Sequence, residues 1–166
     1  MPVAYWVHDL SPFLVRFTEN FGIRYYGLAY LAGFLAAAWL LRLYHLKGRS
    51  PFGFDAIVDL MTYIVIGVLA GGRLGYFFLY KFADLRADPL VFFRVWEGGM
   101  ASHGGFVGVL LALGWWSRKR RTSLWQVSDI VVTTVPVGLL FGRIANFING
   151  ELPGKVTDVA WAVIFP

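Results

Sequence analysis

The sequence contains no cysteine. That excludes a disulfide framework, a thiolate metal site and a cysteine nucleophile belonging to the chain itself. Charge is also scarce: 15% of the residues are Asp, Glu, Lys or Arg, against about 25% in an ordinary soluble domain. The charges are bunched, leaving stretches of about 20 residues with few or none, the length a helix needs to cross a bilayer. What fills those stretches is apolar, 58% of the chain being hydrophobic and 18% aromatic. These balances exclude a typical soluble domain and imply an all-α integral membrane protein, a polytopic bundle of about four transmembrane helices.

Near the N-terminus Asp9, Arg16, Glu19 and Arg24 interrupt any short apolar core. The first span is therefore expected to be retained as both signal and anchor. One transmembrane domain over 1–166 is expected, with spans at about 23–43, 56–80, 100–116 and 127–148. Gly22 and Gly27, Gly71 with Gly72, Gly104, Gly105 and Gly108, and Gly138 with Gly142 lie within or beside them. Small residues let membrane helices approach closely, so a packed bundle is expected.

The link between spans one and two carries Arg42, Lys47 and Arg49, and that between spans three and four reads SRKRRTS. In the 81–99 link Lys81, Arg86 and Arg94 are balanced by Asp84, Asp88 and Glu97. Short basic loops stay in the cytoplasm, which places the N-terminus and the 81–99 link outside. The net charge of +5 is thus a topology signal, and nucleic acid is not an expected partner.

This topology gathers the polar residues of the spans. Arg73 and Arg143 each follow the inner end of their span, Ile57 and Val127, by 16 positions, a rise of about 24 Å into a core of about 30 Å. His103, Tyr25 and Tyr26 fall near the same outer level, and Asn146, Asn149 and Glu151 follow Arg143 outward. An arginine within a span costs on the order of 3 kcal/mol, so it pairs or faces a cavity. Arg73 is open to pairing with a carboxylate or to snorkelling. Arg143 shares a helix face with Asn146 and reads as a ligand for a lipid phosphate, which a guanidinium can grip at two points. His103, in GGMASHGGFVG, can be a packing residue or can accept a proton near pH 7. Tyr25 and Tyr26 can be interfacial aromatics. Residues 72–77 and 142–147 share the form G-R-x-small-x-F, too short to establish a duplication.

The run GRIANFINGELPG, residues 142–154, resembles the signature of the prolipoprotein diacylglyceryl transferase family. RYYGLAYLAGF at 24–34, GGRLGYFFLY at 71–80 and FFRVWEGGMASHGGFVG at 92–108 are similar to other segments of that family. The resemblance implies a multi-pass enzyme of the bacterial inner membrane with its active layer facing the periplasm. It implies transfer of a diacylglyceryl group from phosphatidylglycerol to the lipobox cysteine thiol of a prolipoprotein signal peptide. A thioether forms and glycerol phosphate leaves, with no cofactor and no metal. Arg143 is then the phosphatidylglycerol ligand and His103 the base, while Tyr26, Asn146, Glu151 and Gly154 match positions needed for activity. Gly154 is expected to act through backbone geometry at a turn. No role for Arg73 follows. Members of the family are longer, with about three further spans and a second functional arginine, so activity of these 166 residues alone is not expected.

Two other classes stay in view. A small anion transporter or channel would use the intramembrane arginines without lipid turnover, although such folds usually show repeats and discontinuous helices. A non-catalytic helix-packing protein would use the glycine faces alone.

Overall fold

The computed structural model describes residues 5–18, 22–94 and 98–165. Glu19 and Glu97, both part of the charge pattern above, lie outside the described residues. Two compact units emerge, Met1–Trp39 with Thr134–Pro166 and Leu40–Thr133.

The unit Leu40–Thr133 takes in the end of α1 (Tyr25–Leu46), then α2 (Phe54–Tyr80), α3 (Phe82–Ala87), a 3-10 turn (Pro89–Phe93), α4 (Ser102–Arg120) and α5 (Leu124–Val132). Its core is α2 laid antiparallel on α4. Gly67, Gly71 and Gly75 recur every four residues along one face of α2 and meet Gly104 and Gly108 of α4. A Cβ on Gly67 would stand 2.6 Å from the Gly108 carbonyl oxygen, and one on Gly75 would stand 2.6 Å from the Gly104 Cα. Backbone therefore touches backbone, the contact that small residues at i, i+4 spacing permit between membrane helices. At the other end of the pair, Leu60, Leu113 and Trp116 are buried and the Phe52 ring meets Trp116 edge-on at 5.2 Å. Asp59 accepts from Arg120 at 2.9 Å and from Lys119 at 3.5 Å. These exposed pairs contribute little stability, yet they tie part of the basic run to α2.

The other unit holds α6 (Val135–Ile148), the first part of α1 and four short strands. β1 (Trp6–Val7) runs parallel to β4 (Val163–Ile164), and β2 (Phe13–Arg16) antiparallel to β3 (Gly22–Arg24). Neither pairing was anticipated from composition. Within this unit Gly33 of α1 lies against Gly138 of α6, a Cβ on the former falling 3.5 Å from the latter's Cα.

The last expected span is broken. α5 stops at Val132 and α6 begins after Thr133 and Thr134. Pro136 explains it: proline has no N–H to donate back to Val132 and its ring crowds that turn. The Thr133 hydroxyl instead donates to the Ile130 carbonyl at 2.7 Å.

Apolar side chains face outward along the long helices, among them Leu31, Leu35 and Trp39 of α1 and Leu110, Leu111 and Trp115 of α4. Patches of that extent need lipid or protein against them. By length and composition α1 and α2 can cross a membrane, and so can α5 with α6 if the pair is one span. α4 covers the third expected span but ends in Arg118, Lys119 and Arg120, which shortens its apolar length.

The glycine contact gives a direct expectation. Gly104→Leu should abolish the α2–α4 approach, since overpacking alone costs about 1–3 kcal/mol and here the neighbour is backbone. Gly114→Ala, where an added Cβ meets nothing within 4 Å, should be neutral. Thermal melting in detergent checks both, and an unchanged melting temperature for Gly104→Leu would remove the contact from the account.

Candidate functional site

The segment that carries most of the expected site residues is the end of α6. Asn149 occupies its C-cap and Gly150 follows at φ +68°. Gly150 N–H donates to the Phe147 carbonyl at 3.1 Å, and Glu151 N–H to the Asn146 carbonyl at 2.9 Å. This is a Schellman ending, in which two nested bonds satisfy the last helical carbonyls and the residue between them must be left-handed. Glycine meets that requirement without a Cβ penalty. The turn folds Glu151 back over the helix end, where its Oε1 accepts from Asn149 Nδ2 at 3.3 Å. Asn149 Oδ1 is buried with no partner among the described residues.

Arg143 lies on the same helix, one turn before Asn146. Its side chain is exposed, and among the described residues no hydrogen bond or ion pair engages its guanidinium. Tyr26, near the start of α1, lies within electrostatic reach of both Arg143 and Glu151. Its ring packs on Tyr30 with centroids 5.3 Å apart. Tyr26, Arg143 and Glu151 therefore share one neighbourhood, and Asn146 and Asn149 complete it along the helix. Chemically it presents an unpaired fork of N–H donors, a phenol, two amides and a carboxylate: groups suited to an anion that also carries hydroxyls.

Gly154 is not part of that turn. Its φ lies outside the left-handed region, it is exposed, and an added Cβ would meet nothing within 4 Å. The expected turn geometry belongs to Gly150, four residues earlier.

The unit Leu40–Thr133 holds the other two residues of interest. His103 is the second residue of α4, exposed and without a hydrogen-bond partner among the described residues. Arg73 is the opposite case, only 3% exposed. Its Nε donates to the Phe92 carbonyl at 3.0 Å, and Nη2 to those of Val91 at 2.6 Å and Arg94 at 3.2 Å. Nη1 donates to the carbonyls of Gly98 and, at 3.1 Å, Gly99. All five N–H donors are engaged, and the group lies 4.8 Å from the centroid of the Phe77 ring. Arg73 is neither paired with a carboxylate nor snorkelling, and it has no donor left for a ligand.

Sequence reading missed His8 altogether. Its ring is 5% exposed, stacks on Phe165 at 4.9 Å and meets Phe147 edge-on at 5.5 Å. Nε2 donates to the Phe147 carbonyl at 2.6 Å, which fixes the tautomer because a carbonyl can only accept. The His8 N–H donates to the Ile164 carbonyl at 2.8 Å. His8 thus fastens both terminal strands to the last turn of α6, beside Gly150. Nothing local in YWVHDLSP signals this, since the partners lie about 140 positions away.

A model of the prolipoprotein diacylglyceryl transferase family matches residues 12–166. A phosphatidylglycerol–prolipoprotein diacylglyceryl transferase of Xylella fastidiosa strain M12 is 51% identical over 146 residues, 87% of this chain and 48% of its own. The protein of that name from Chromohalobacter salexigens is 50% identical over 158 residues, 95% of this chain and 58% of its own. One from Xanthomonas campestris pv. campestris strain B100 is 49% identical over 145 residues, 87% and 49% respectively. The chain spans about half the length of the curated relatives it matches.

The contrast between His8 and Arg143 is testable by stability alone. His8→Phe keeps an aromatic ring but leaves the Phe147 carbonyl with the Gly150 N–H as its remaining donor, and should cost about 0.5–1.5 kcal/mol. Arg143→Ala removes no hydrogen bond or ion pair among the described residues and should not lower the melting temperature. A melt of each variant in detergent decides it; equal destabilisation by both would mean that Arg143 is engaged after all.

Proposed function

The chain belongs to the prolipoprotein diacylglyceryl transferase family, and we propose that it takes part in diacylglyceryl transfer from phosphatidylglycerol to the lipobox cysteine thiol of a prolipoprotein. The observation that carries the proposal is the exposed, unpartnered guanidinium of Arg143, set in the family signature beside Tyr26 and Glu151. The chain is a membrane protein. We place it in the bacterial inner membrane, with this neighbourhood at the periplasmic face, because the short basic links favour the cytoplasm.

The chemistry assigns the parts. The substrate thiol, ordinary pKa about 8.5, loses its proton to His103, and the sulfur attacks the glycerol carbon that bears the phosphoester. The C–S bond forms as the C–O bond breaks, and glycerol phosphate leaves with the electron pair. Charge thus gathers on the departing phosphate, where a guanidinium that meets two oxygens at once is most effective. Asn146, Asn149 and Glu151 offer partners for the glycerol hydroxyls, and Tyr26 a further donor. The nucleophile belongs to the substrate, so the chain needs no cysteine of its own. The reaction transfers no electrons and calls on no cofactor or metal.

In the intact protein in bacterial membranes, Arg143→Lys should lower transfer to a lipobox peptide, since lysine keeps the charge but loses the two-point grip. Arg143→Ala should lower it further, by about 10- to 100-fold for one charged hydrogen bond. His103→Gln should lower turnover by about 10²–10⁴-fold with phosphatidylglycerol binding nearly intact. Thioether product, counted by mass spectrometry at equal membrane abundance, is the measurement. Full activity in Arg143→Ala would place the phosphate elsewhere. Anion flux in vesicles without lipid turnover would favour the transporter class instead.

A further inference from the structure

Arg73 remains unexplained by that chemistry, although it is the most heavily hydrogen-bonded side chain described. Its five bonds all go to backbone carbonyls of the link between α2 and α4, at Val91, Phe92, Arg94, Gly98 and Gly99. A side-chain contact can be replaced by another of similar shape. Five carbonyls converging on one planar fork specify a single path for the chain, because each oxygen must lie near the plane and along one N–H direction. The link is held at its flanks too. Asp88 caps the 3-10 turn by accepting from Leu90 N–H at 3.0 Å and pairs with Arg94. Ala101 N–H, at the N-cap of α4, donates to the Gly72 carbonyl at 3.0 Å, next to Arg73 itself.

What this path delivers is His103. Ala101 is bonded to α2 and Gly104 is wedged between Gly71 and Gly75, so the backbone on either side of His103 is fixed on α2. The imidazole itself is exposed and unpartnered. Its place is set entirely by where α4 begins, and α4 begins where the link ends. Gly98 and Gly99, at φ +79° and +83°, turn two carbonyls toward the guanidinium immediately before that start.

We propose that Arg73 is a positioning residue for His103, holding the link between α2 and α4 in the one conformation that presents the imidazole to the substrate thiol. It touches neither substrate nor reacting atoms. The inference rests on the reading of His103 as the proton acceptor, and the two can fail separately.

The test is a set of variants of the intact protein at equal folded abundance: Arg73→Lys, His103→Gln, the two together, and Gly98→Ala. Arg73→Lys keeps the charge and three of the donors without the fork. Gly98→Ala meets no neighbour within 4 Å but strains φ +79°, and so disturbs the same carbonyls without touching the arginine. It keeps the proposal testable if Arg73→Lys does not fold. Arg73→Lys and Gly98→Ala should each lower kcat tenfold or more with KM for phosphatidylglycerol within twofold, and hydrogen exchange at 98–105 should rise. The double variant should be no slower than His103→Gln alone, because a misplaced base and an absent base lose the same step. Multiplying losses in the double variant would overturn the positioning role, as would normal kcat in both Arg73→Lys and Gly98→Ala. Normal turnover in His103→Gln would instead overturn the base, and with it any need to position one.

Discussion

The contact between the α2 and α4 backbones constrains everything around it. Gly67, Gly71 and Gly75 against Gly104 and Gly108 leave no room for side chains, so the two helices can meet only in this register. In lipid there is no apolar driving force between helices beyond what packing and hydrogen bonds supply. Close approach is therefore the source of specificity and of much of the attraction. Register along the pair then fixes where the link between them starts and stops. It also brings Gly72 to the N-cap of α4 and puts Arg73 underneath the link. A slip by one helical turn would separate the guanidinium from its five carbonyls and forfeit those hydrogen bonds, each to a charged group and worth about 1.5–3 kcal/mol.

Arg73 and Arg143 show why a motif is not a role. Both stand in G-R-x-small-x-F, at the same distance along their spans, and only the polar run after Arg143 separates them in the sequence. What differs lies elsewhere in the chain. After α2 comes a link rich in carbonyls turned inward, with two glycines at positive φ, and these use every donor Arg73 has. After α6 comes a Schellman turn that satisfies its own carbonyls, so none is left to claim Arg143. The same guanidinium is a structural pin in one setting and exposed without a hydrogen bond or ion pair in the other.

Much of the fold was legible in composition and spacing: the long apolar runs became helices, and of the expected glycines Gly71, Gly104 and Gly108 entered the close contact, joined by Gly67 and Gly75. The fourth span shows a limit. Pro136 was visible, but apolar length outweighed it, and the helix breaks there because the missing N–H is a local fact that hydropathy averages away. The candidate site was legible in part, since Tyr26, Arg143, Asn146 and Glu151 come together as a cluster. His8 was not, because strands as short as Trp6–Val7 and Val163–Ile164 carry no periodicity and their pairing spans nearly the whole chain. The turn geometry expected of Gly154 falls on Gly150 for a related reason. Two glycines follow the α6 helix, and only the hydrogen bonds at its end show which one has the left-handed φ.

An unpartnered arginine on an apolar helix asks for an explanation in energy. Holding one at depth costs on the order of 3 kcal/mol, and Arg73 recovers that through five bonds to the protein. Arg143 makes no hydrogen bond or ion pair among the described residues, so under the function proposed above its cost is offset by what comes from outside. Each charged hydrogen bond to a phosphate oxygen is worth about 1.5–3 kcal/mol, so a two-point grip is enough to cover the cost. The binding of an anion and the comfort of the residue in the membrane are then one event. Under the function proposed above, the protein without ligand would carry a small instability at Arg143, and the ligand would remove it. A family signature that places such a residue next to a turn closed by its own hydrogen bonds keeps the instability local. The hydrogen bonds of the turn tie Asn146, Asn149 and Glu151 to one another, so that under this proposal the site would be formed before its ligand arrives.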